Sequence, residues 1–530
     1  MPRSRKLKSG GRPGWILSLA GLTLLTFPAG GEFLGLAAAQ IAPPEQQVRT
    51  ERLPDQEPVT TQHQILVDGE TLSYSATTGY LPLHDGDGTH LANIHFTYYR
   101  KDGEDDPARR PITFMFNGGP GAASVWLHLG LGPRRVVMRD PGATTRFQED
   151  DPHPPPFTLV DNEYTWLDET DLVFVDPVNT GYSRPAVGQD PARFLGYTQD
   201  IEYLSEWVRL FVTQYERWAS PKFLAGESYG TTRVSGMANY LQTRGMHLNG
   251  VILVSAVLNF QTIRPQVGND LPAILFLPSF AATAWYHGRL NPDLQGLELT
   301  EFLGRVEAFA LNQYTRALMH GDMLPAAEIR AVAEEVARFT GLSVDFVEQA
   351  NLRLTTQSVT KELRRDDRRT LGRLDSRFVG IDRSSEGQGY EWDPSYDGAI
   401  MGPFTGTVND YFRRELGLEN TLPYWIRGFA SPWDYSNVEN RFLNVAEDLR
   451  RAMSMNPYLH VLVQSGYYDL ATPYFAMDYT VATMQLDESV RSNIRTEYYE
   501  SGHMMYIHMP DLIKMKDDAV RFYRDALGVR

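Results

Sequence analysis

A serine between two glycines is the most informative feature of the sequence. Residues 226–230 read Gly-Glu-Ser-Tyr-Gly, between a short apolar run and a segment over 232–241 that can form a helix. The pattern Gly-x-Ser-x-Gly between a strand and a helix is typical of a nucleophile elbow, in which a tight turn exposes the serine hydroxyl. The N-terminus of the following helix also offers backbone N–H groups to developing negative charge. We therefore expect Ser228 to be a nucleophile, and a chance match in a loop is the alternative.

A nucleophilic serine needs a base and an acid, and the sequence offers one of each in matching positions. In this arrangement the acid and then the base follow the serine, each in a loop after a strand. Asp469 follows the apolar run 458–464, and His503 follows a second candidate strand at 495–500. Both loops begin with Ser-Gly, which favours a sharp turn at a strand end. The sequence thus predicts the catalytic residues Ser228, Asp469 and His503.

Two other residues compete for these roles. Asp478 is the nearest alternative acid, but it lies inside a predicted helix over 474–484. His508 is the nearest alternative base, and no strand followed by glycine leads into it. His503 and His508 do not suggest a metal pair, since their spacing after a strand end gives no shared face and no carboxylate cluster accompanies them. The sequence predicts no metal and no cofactor.

A glycine-rich turn after an early strand candidate supplies a third element of the site. Residues 114–121 read Phe-Met-Phe-Asn-Gly-Gly-Pro-Gly. In hydrolases with a nucleophile elbow, the loop after an early strand and the residue after the nucleophile each supply one N–H to the oxyanion. We assign these two donors to Gly119 and Tyr229. A phosphate-binding loop is set aside, because no Gly-Lys-Ser or Gly-Lys-Thr follows and the Gly-x-Gly-x-x-Gly spacing is absent.

Five motifs in order resemble the serine carboxypeptidase family. They are residues 117–121, the run Asp-Pro-Val-Asn-Thr-Gly-Tyr-Ser at 176–183, residues 226–230, Asp469 and residues 502–504. The similarity extends from about Leu66 to the C-terminus and is weakest between about 265 and 440. The resemblance implies an α/β-hydrolase fold and the hydrolysis of C-terminal residues from peptides through an acyl-enzyme on Ser228. It also implies that Asn117 and Glu227 hold the free C-terminal carboxylate of the substrate.

The chain departs from the family pattern at two places. Ala122 stands where eukaryotic members have a cysteine, the chain contains no cysteine, and residues 125–133 are more similar to the bacterial branch. A second carboxylate-binding glutamate is absent, because Gly130 and Leu131 occupy its candidate positions. An esterase or acyltransferase with the same three catalytic residues is therefore an alternative, since an ester substrate needs no carboxylate clamp. A non-catalytic binding protein is a third alternative, against which the complete set of catalytic residues argues.

The N-terminal residues predict export. A basic lead, the apolar stretch 15–27 and an Ala-Ala-Ala cleavage site at 37–39 are typical of a secretory signal peptide. A retained membrane anchor is the alternative, but Pro28 and several glycines make the uncharged stretch 14–31 marginal for a membrane span. We expect removal of residues 1–39, no membrane association afterwards, and a periplasmic or secreted protein.

Charge and cysteine content restrict the partners. The chain has 530 residues, 50 basic and 66 acidic side chains and a formal net charge of −16. A negative surface repels nucleic acid and anionic lipid. The family resemblance implies a peptide substrate as the partner. An exported protein without cysteine must be stabilised by packing rather than by disulfides. Nothing in the sequence indicates an oligomeric state.

Alternating strands and helices indicate the α/β class. Residues 64–83 and 92–100 alternate apolar and polar side chains, as antiparallel strands do, and strands alternate with helices from Pro111 to about Phe260. This pattern predicts a mostly parallel central sheet with helices on both faces. We divide the chain into the signal peptide 1–39, a first part of the α/β-hydrolase core at 40–265, an inserted and mainly helical cap at 266–440, and a second part of the core at 441–530.

Three patterns within the predicted cap have a specific interpretation. Residues 299–319 and 325–339 have the periodicity of helices. Residues 361–377 are rich in Arg and Asp and predict the solvated, ion-paired surface of a helix. Residues 422–426 contain two adjacent aromatic side chains, for which we expect core packing rather than a substrate pocket.

Overall fold

The computed structural model of the protein describes residues 57–529 except 105, 140 and 142–153. The predicted signal peptide, residues 1–39, lies outside the described residues. Within them, no helix combines the length and the apolar composition that crossing a lipid bilayer requires.

The regular elements of the described residues alternate between strands and helices. The strands are β1 Val59–Val67, β2 Glu70–His84, β3 His90–Lys101, β4 Ile112–Phe116, β5 Arg134–Val136, β6 Leu159–Asp161, β7 Asp171–Val175, β8 Arg184–Pro185, β9 Lys222–Glu227, β10 Gly250–Val254, β11 Thr370–Leu371, β12 Val379–Gly380, β13 His460–Gly466 and β14 Ile494–Tyr499. The helices are α1 Val125–Leu131, α2 Tyr197–Gln214, α3 Tyr229–Thr243, α4 Leu271–Tyr286, α5 Pro292–Gln295, α6 Leu299–Phe309, α7 Thr315–His320, α8 Ala326–Thr340, α9 Val344–Gln349, α10 Thr356–Glu362, α11 Met401–Arg414, α12 Ala446–Met455, α13 Tyr474–Thr483, α14 Glu488–Arg491 and α15 Met509–Leu527.

One mixed sheet of ten strands organises the described part of the chain. Its order is β1-β2-β3-β7-β4-β9-β10-β13-β14, and β8 pairs with β3. The pairs from β1 through β3 to β7 are antiparallel. Every neighbouring pair from β7 to β14 is parallel. The predicted mostly parallel sheet is confirmed, and the carboxyl ends of β9, β13 and β14 meet at one edge, where open α/β sheets bind their ligands.

Side chains of the central strands alternate between two apolar layers. In β4, Phe114 and Phe116 join one layer, and Met115 joins the other. Helices α2, α3 and α12 pack on the first layer, and α1, α11 and α15 pack on the second. Strands β4, β7, β9 and β10 are buried along their whole length. Burial on both faces explains why these strands are continuous apolar runs in the sequence.

The chain between β10 and β13 is mainly helical. Helices α4, α6 and α8 share a third apolar cluster, to which α13 also contributes. The helices predicted at 299–319 and 325–339 are confirmed as α6 with α7 and as α8. The limits of the predicted cap, 266 and 440, stay a prediction.

Residues 361–377 are not the helix surface that the sequence predicts. Helix α10 ends within this segment, and the chain then enters the short antiparallel pair β11 and β12. Lys361 and Arg377 are only 1% and 2% exposed, because they pair with the buried carboxylates of Asp382 and Asp375. The expected ion pairs are present, but charge pattern alone does not distinguish a buried pair from a solvated one.

The aromatic segment 422–426 packs against the core, as expected. Tyr424 is buried, and its hydroxyl donates to Oδ1 of Asp176 at 3.2 Å. The guanidinium of Arg184 lies 3.4 Å from the ring centroid of Trp425. The first contact joins this segment to the loop that follows β7, and the second joins it to β8.

Candidate active site

Ser228 occupies a strained turn between β9 and α3. Its φ is +58° and its ψ is −126°, a conformation that L-residues rarely adopt and that is enriched at functional sites. A Cβ on Gly226 would lie 2.2 Å from the carbonyl oxygen of Gly230. A Cβ on Gly230 would lie 2.3 Å from the carbonyl oxygen of Phe116. The tightness of the turn therefore requires both glycines that flank Ser228.

Asp469 and His503 are joined by a hydrogen bond at the carboxyl edge of the sheet. Nδ1 of His503 lies 2.7 Å from Oδ2 of Asp469, and both side chains are buried. Oδ1 of Asp469 accepts from the backbone N–H groups of Ala471 at 2.7 Å and Thr472 at 3.0 Å. Within the described residues, no hydrogen bond joins His503 to Ser228. Such bonds are often long before substrate binds, so this geometry is compatible with a serine and its base.

The surroundings of His503 favour its protonated form. Burial alone would lower the pKa of His503, but the carboxylate and hydrogen bond of Asp469, together with Glu227, raise this pKa above its ordinary value. The side chain of Arg373 acts in the opposite direction. The raised pKa means that these neighbours stabilise the imidazolium, the form of the side chain that arises when a histidine takes a proton from a serine.

Two glycines let the loops of Asp469 and His503 approach each other. A Cβ on Gly466 would lie 2.4 Å from the carbonyl oxygen of Ser501. A Cβ on Gly502 would lie 2.4 Å from the carbonyl oxygen of Leu374. Neither glycine has a positive φ. The Ser-Gly pairs therefore allow close backbone packing, and a turn begins at Gly466, whose carbonyl oxygen accepts from the backbone N–H of Asp469 at 3.4 Å.

The glycine-rich loop after β4 packs on the nucleophile turn. A Cβ on Gly118 would lie 2.5 Å from the backbone nitrogen of Tyr229 and 2.8 Å from Cβ of Ser228. Gly119 has a φ of +107°, which only glycine adopts freely. The backbone N–H groups of Gly119 and Tyr229 donate no hydrogen bond within the part of the chain that the structure describes. Both N–H groups are thus available to a ligand, and Gly118 is the close contact that the sequence did not reveal.

Asn117 and Glu227 are both fully buried beside this loop. Oδ1 of Asn117 accepts from the backbone N–H of Leu127 at 3.0 Å, whereas its Nδ2 has no partner among the described residues. Burial raises the pKa of Glu227 to about 7, although His503, the hydroxyl of Tyr506 and the amide of Asn117 act in the opposite direction. The Asn117 amide therefore lies near Glu227 without meeting hydrogen-bond geometry.

Two further side chains hold the loops of Asp469 and His503 in place. Oγ1 of Thr472 lies 2.7 Å from Oδ2 of Asp469 and 3.0 Å from the carbonyl oxygen of Ser255. The hydroxyl of Ser255 donates to the carbonyl oxygen of His503 at 2.7 Å. The sequence analysis missed both residues. Ser255 directly follows β10, so a search for polar residues at the carboxyl ends of parallel strands would have found it.

Arg233 links the nucleophile helix α3 to the glycine-rich loop. Its guanidinium and the carboxylate of Asp200 form a fully buried pair at 2.7 Å. Its second nitrogen donates to the carbonyl oxygen of Asn117 at 2.6 Å. This contact fixes the loop that carries Gly119 relative to Ser228. No local pattern in the sequence marks an arginine on a helix as buried.

One segment of the region between β10 and β13, residues 372–377, reaches the histidine loop. The carbonyl oxygen of Leu374 accepts from the backbone N–H of His503 at 2.6 Å. Oδ2 of Asp375 accepts from the backbone N–H of Gly502 at 3.1 Å. The segment 361–377, which the sequence analysis placed on a solvated helix surface, thus contains residues that hold the loop of His503 in place.

A second segment of that region, residues 424–428, covers the glycine-rich loop. The backbone N–H of Ala123 donates to the carbonyl oxygen of Ile426 at 2.9 Å. The backbone N–H of Gly428 donates to the carbonyl oxygen of Gly121 at 2.8 Å. The region between β10 and β13 therefore contacts both sides of the candidate site.

The alternative acid and base have other partners. Asp478 lies in helix α13, as predicted, and accepts from the hydroxyl of Tyr498 at 2.8 Å. His508 precedes α15, and its Nδ1 lies 2.8 Å from Oδ2 of Asp511. Across the described residues, no three or more acidic, histidine or cysteine side chains are placed to hold a metal ion.

Known proteins have sequences similar to part of this chain. Residues 67–291 match the family model described as "Serine carboxypeptidase". Carboxypeptidase Y from Saccharomyces cerevisiae is 26% identical over 193 residues, which are 33% of this chain and 30% of that protein. The pheromone-processing carboxypeptidase of Aspergillus niger is 28% identical over 189 residues, which are 33% of this chain and 26% of that protein. The matched stretch therefore spans only about a third of these relatives or less.

A solved structure extends the likeness to most of the chain. The prohormone-processing carboxypeptidase from Saccharomyces cerevisiae superposes with a TM-score of 0.50 at 14% identity, covering 85% of this chain and 91% of that one. This similarity, with the sheet order above, confirms the predicted α/β-hydrolase fold. Over residues 67–291, the chain is similar to the serine carboxypeptidase family. Its place in a bacterial branch stays a prediction.

Proposed function

We propose that the protein is an exported serine carboxypeptidase that hydrolyses C-terminal residues from peptides through an acyl-enzyme on Ser228. The observation that carries the proposal is the hydrogen-bonded pair of Asp469 and His503 at the sheet edge where the strained Ser228 also lies. Two relatives with similar sequences are themselves named carboxypeptidases, and residues 67–291 match the family model described as "Serine carboxypeptidase", which supports the same reaction.

The reaction uses Ser228 as nucleophile and His503 as proton shuttle. Oγ of Ser228 attacks the carbonyl carbon of the last peptide bond while Nε2 of His503 takes its proton. The N–H groups of Gly119 and Tyr229 hold the oxyanion of the tetrahedral intermediate. His503 then protonates the leaving amine, the C–N bond breaks, and the acyl group stays on Ser228. Water, deprotonated by His503, attacks the ester and releases the shortened peptide.

Asn117 and Glu227 would bind the free carboxylate of the substrate. At this short distance, the carboxylates of Glu227 and the substrate would repel each other if both were charged. Glu227 must therefore carry a proton. Burial already raises the pKa of Glu227 to about 7. Glu227 is protonated below this value and loses its proton as pH rises through it. Cleavage of peptides with a free carboxylate should therefore decline above about pH 7.

Substitution of the nucleophile tests the proposal. Ser228→Ala should abolish labelling by a fluorophosphonate probe and lower turnover of a blocked dipeptide on the order of 10⁶-fold, because it removes the attacking oxygen. Ser235→Ala is the matched control, since Ser235 lies in α3, the helix that follows Ser228, is buried, and has no hydrogen-bond partner for its hydroxyl in the described residues. Labelling that survives in Ser228→Ala would refute the assignment. Hydrolysis of esters without hydrolysis of peptides would replace the carboxypeptidase by an esterase.

Export is a separate part of the proposal. The basic lead and apolar stretch of residues 1–39 support a cleaved signal and a periplasmic or secreted protein. Mass spectrometry of protein recovered from its native source should find a chain that begins near Gln40. A chain that still begins at Met1 or Pro2 would contradict cleavage.

A further inference from the structure

The ring of Tyr506 fills a space that Gly130 leaves open. Tyr506 lies in a single 3₁₀ turn, Met505–Ile507, shortly after His503. A Cβ on Gly130 would lie 2.3–2.7 Å from three carbon atoms of this ring. Any side chain at position 130 would therefore displace the ring. The ring of Tyr506 therefore occupies the space that a glutamate side chain at position 130 would need.

The hydroxyl of Tyr506 reaches the carboxyl of Glu227. It donates to Oε2 of Glu227 at 2.5 Å, and both residues are buried. Oε1 of Glu227 takes part in no hydrogen bond within the described residues, and Nδ2 of Asn117 also has no partner there. A buried amide without a partner costs free energy, so an unpaired group of this kind calls for an explanation such as a ligand that completes it.

We propose that Tyr506 is a positioning residue for the substrate carboxylate. Its hydrogen bond to Oε2 fixes Glu227, so that protonated Oε1 and Nδ2 of Asn117 together donate to the C-terminal carboxylate of the peptide. This inference rests on the proposed carboxypeptidase function and adds the group that orients the binding carboxyl. The phenol orients the carboxyl of Glu227, and this carboxyl and the Asn117 amide are the two donors, so a single proton on Glu227 controls the binding of the substrate.

Removal of the Tyr506 hydroxyl should change the pKa of Glu227 in a definite direction. The Tyr506 hydroxyl favours the charged form of Glu227, as do His503 and Asn117, whereas burial and Asp469 favour the neutral form. Tyr506→Phe therefore raises the pKa of Glu227 further above its ordinary value. Glu227 then keeps its proton to higher pH. The alkaline decline of acid-peptide cleavage should shift upward by about one pH unit, the size expected for one hydrogen bond to a charged group.

The kinetic test compares a blocked dipeptide that has a free C-terminal carboxylate with its C-terminal amide. In Tyr506→Phe, KM for the acid peptide should rise about tenfold near pH 6, because the carboxyl is no longer held in place. The rate constant kcat/KM for the amide should change less than about twofold. Tyr499→Phe is the matched control, since the Tyr499 phenol is buried and donates to the carboxylate of Asp518 at 2.6 Å.

A second measurement follows the protonation of Glu227 in the absence of substrate. The carbonyl band of the protonated Glu227 carboxyl appears in the infrared difference between wild type and Glu227→Gln, and its pH midpoint should move upward in Tyr506→Phe. In the Glu227→Gln background, Tyr506→Phe should no longer change the preference for the acid peptide, because the two side chains act through one hydrogen bond.

The outcomes separate this inference from the proposed function. If Tyr506→Phe weakens cleavage of acid and amide peptides equally and leaves the infrared midpoint unmoved, Tyr506 has only a structural role and the inference is overturned. If the wild type cleaves neither peptide, or cleaves both equally at every pH, the carboxypeptidase function and its carboxylate site are overturned together, whatever the infrared midpoint shows.

Discussion

The two neighbouring aspartates of the C-terminal part show how surroundings assign a role to a residue type. Asp469 accepts hydrogen bonds from the imidazole of His503 and from the backbone of the residues that follow it. Asp478 has a phenol as its partner, and burial raises the pKa of Asp478 to about 6. A carboxylate that is surrounded by donors and touches an imidazole can orient a catalytic base, whereas Asp478 has no such contact.

Substitution of each aspartate by asparagine tests this difference. Asp469→Asn should lower kcat by about 10⁴-fold, because an amide can hold the imidazole of His503 in the wrong tautomer. Asp478→Asn should keep most of the activity, since asparagine can still accept the hydrogen bond of Tyr498. Steady-state rates of the two folded variants decide the question. A larger loss in Asp478→Asn would show that Asp469 is not the catalytic acid.

The elements that carry the site could largely be predicted from the sequence. The strands predicted at 458–464, before Asp469, and at 495–500, before His503, are present as β13 and β14, with ends that differ by one or two residues. Strands β9 and β13 are buried almost throughout, so their apolar runs are a strong local signal, whereas β14 at the edge of the sheet is mostly half-buried and its signal is weaker. The turn at Ser228 was also predictable from its local Gly-x-Ser-x-Gly pattern, although only Gly226 is required by a contact within the turn, and Gly230 is required by its close approach to the distant Phe116.

Contacts between distant segments could not be predicted in this way. The ring of Tyr506 packs on Gly130, Arg233 donates to the carbonyl of Asn117, and Leu374 accepts from the backbone of His503. Periodicity reports which face of an element is buried, but it does not report which remote loop covers it. For the same reason, the charged run 361–377 was expected at the surface, although it contains two buried ion pairs.

At the scale of the molecule, the candidate catalytic residues lie on both sides of the long region between β10 and β13. Ser228 precedes this region, and Asp469 and His503 follow it. The region contacts the histidine loop through residues 372–377 and the glycine-rich loop through residues 424–428. Through these contacts, the region helps to position the histidine loop and the glycine-rich loop as well as to cover the site.

Substitutions in two buried ion pairs of this region can distinguish a role in positioning His503 from a role in the stability of the fold. Asp375 pairs with Arg377 and also accepts from the backbone of Gly502, next to His503. Asp382 pairs with the equally buried Lys361 and is the matched control, because its hydrogen bonds stay within the region. Asp375→Asn and Asp382→Asn should each lower the free energy of unfolding by about 3–5 kcal/mol, since each leaves a buried cation without its carboxylate.

Only Asp375→Asn should also lower kcat, by about 10²-fold, because it releases the loop that places His503 and a shift of about 1 Å at a catalytic group has a cost of this size. Urea unfolding would measure the stability of both variants, and kcat would be measured at a temperature where both remain folded. If Asp382→Asn loses as much kcat as Asp375→Asn, the loss reflects general weakening of the region between β10 and β13. In that case, the contact of Asp375 with Gly502 does not position the catalytic histidine.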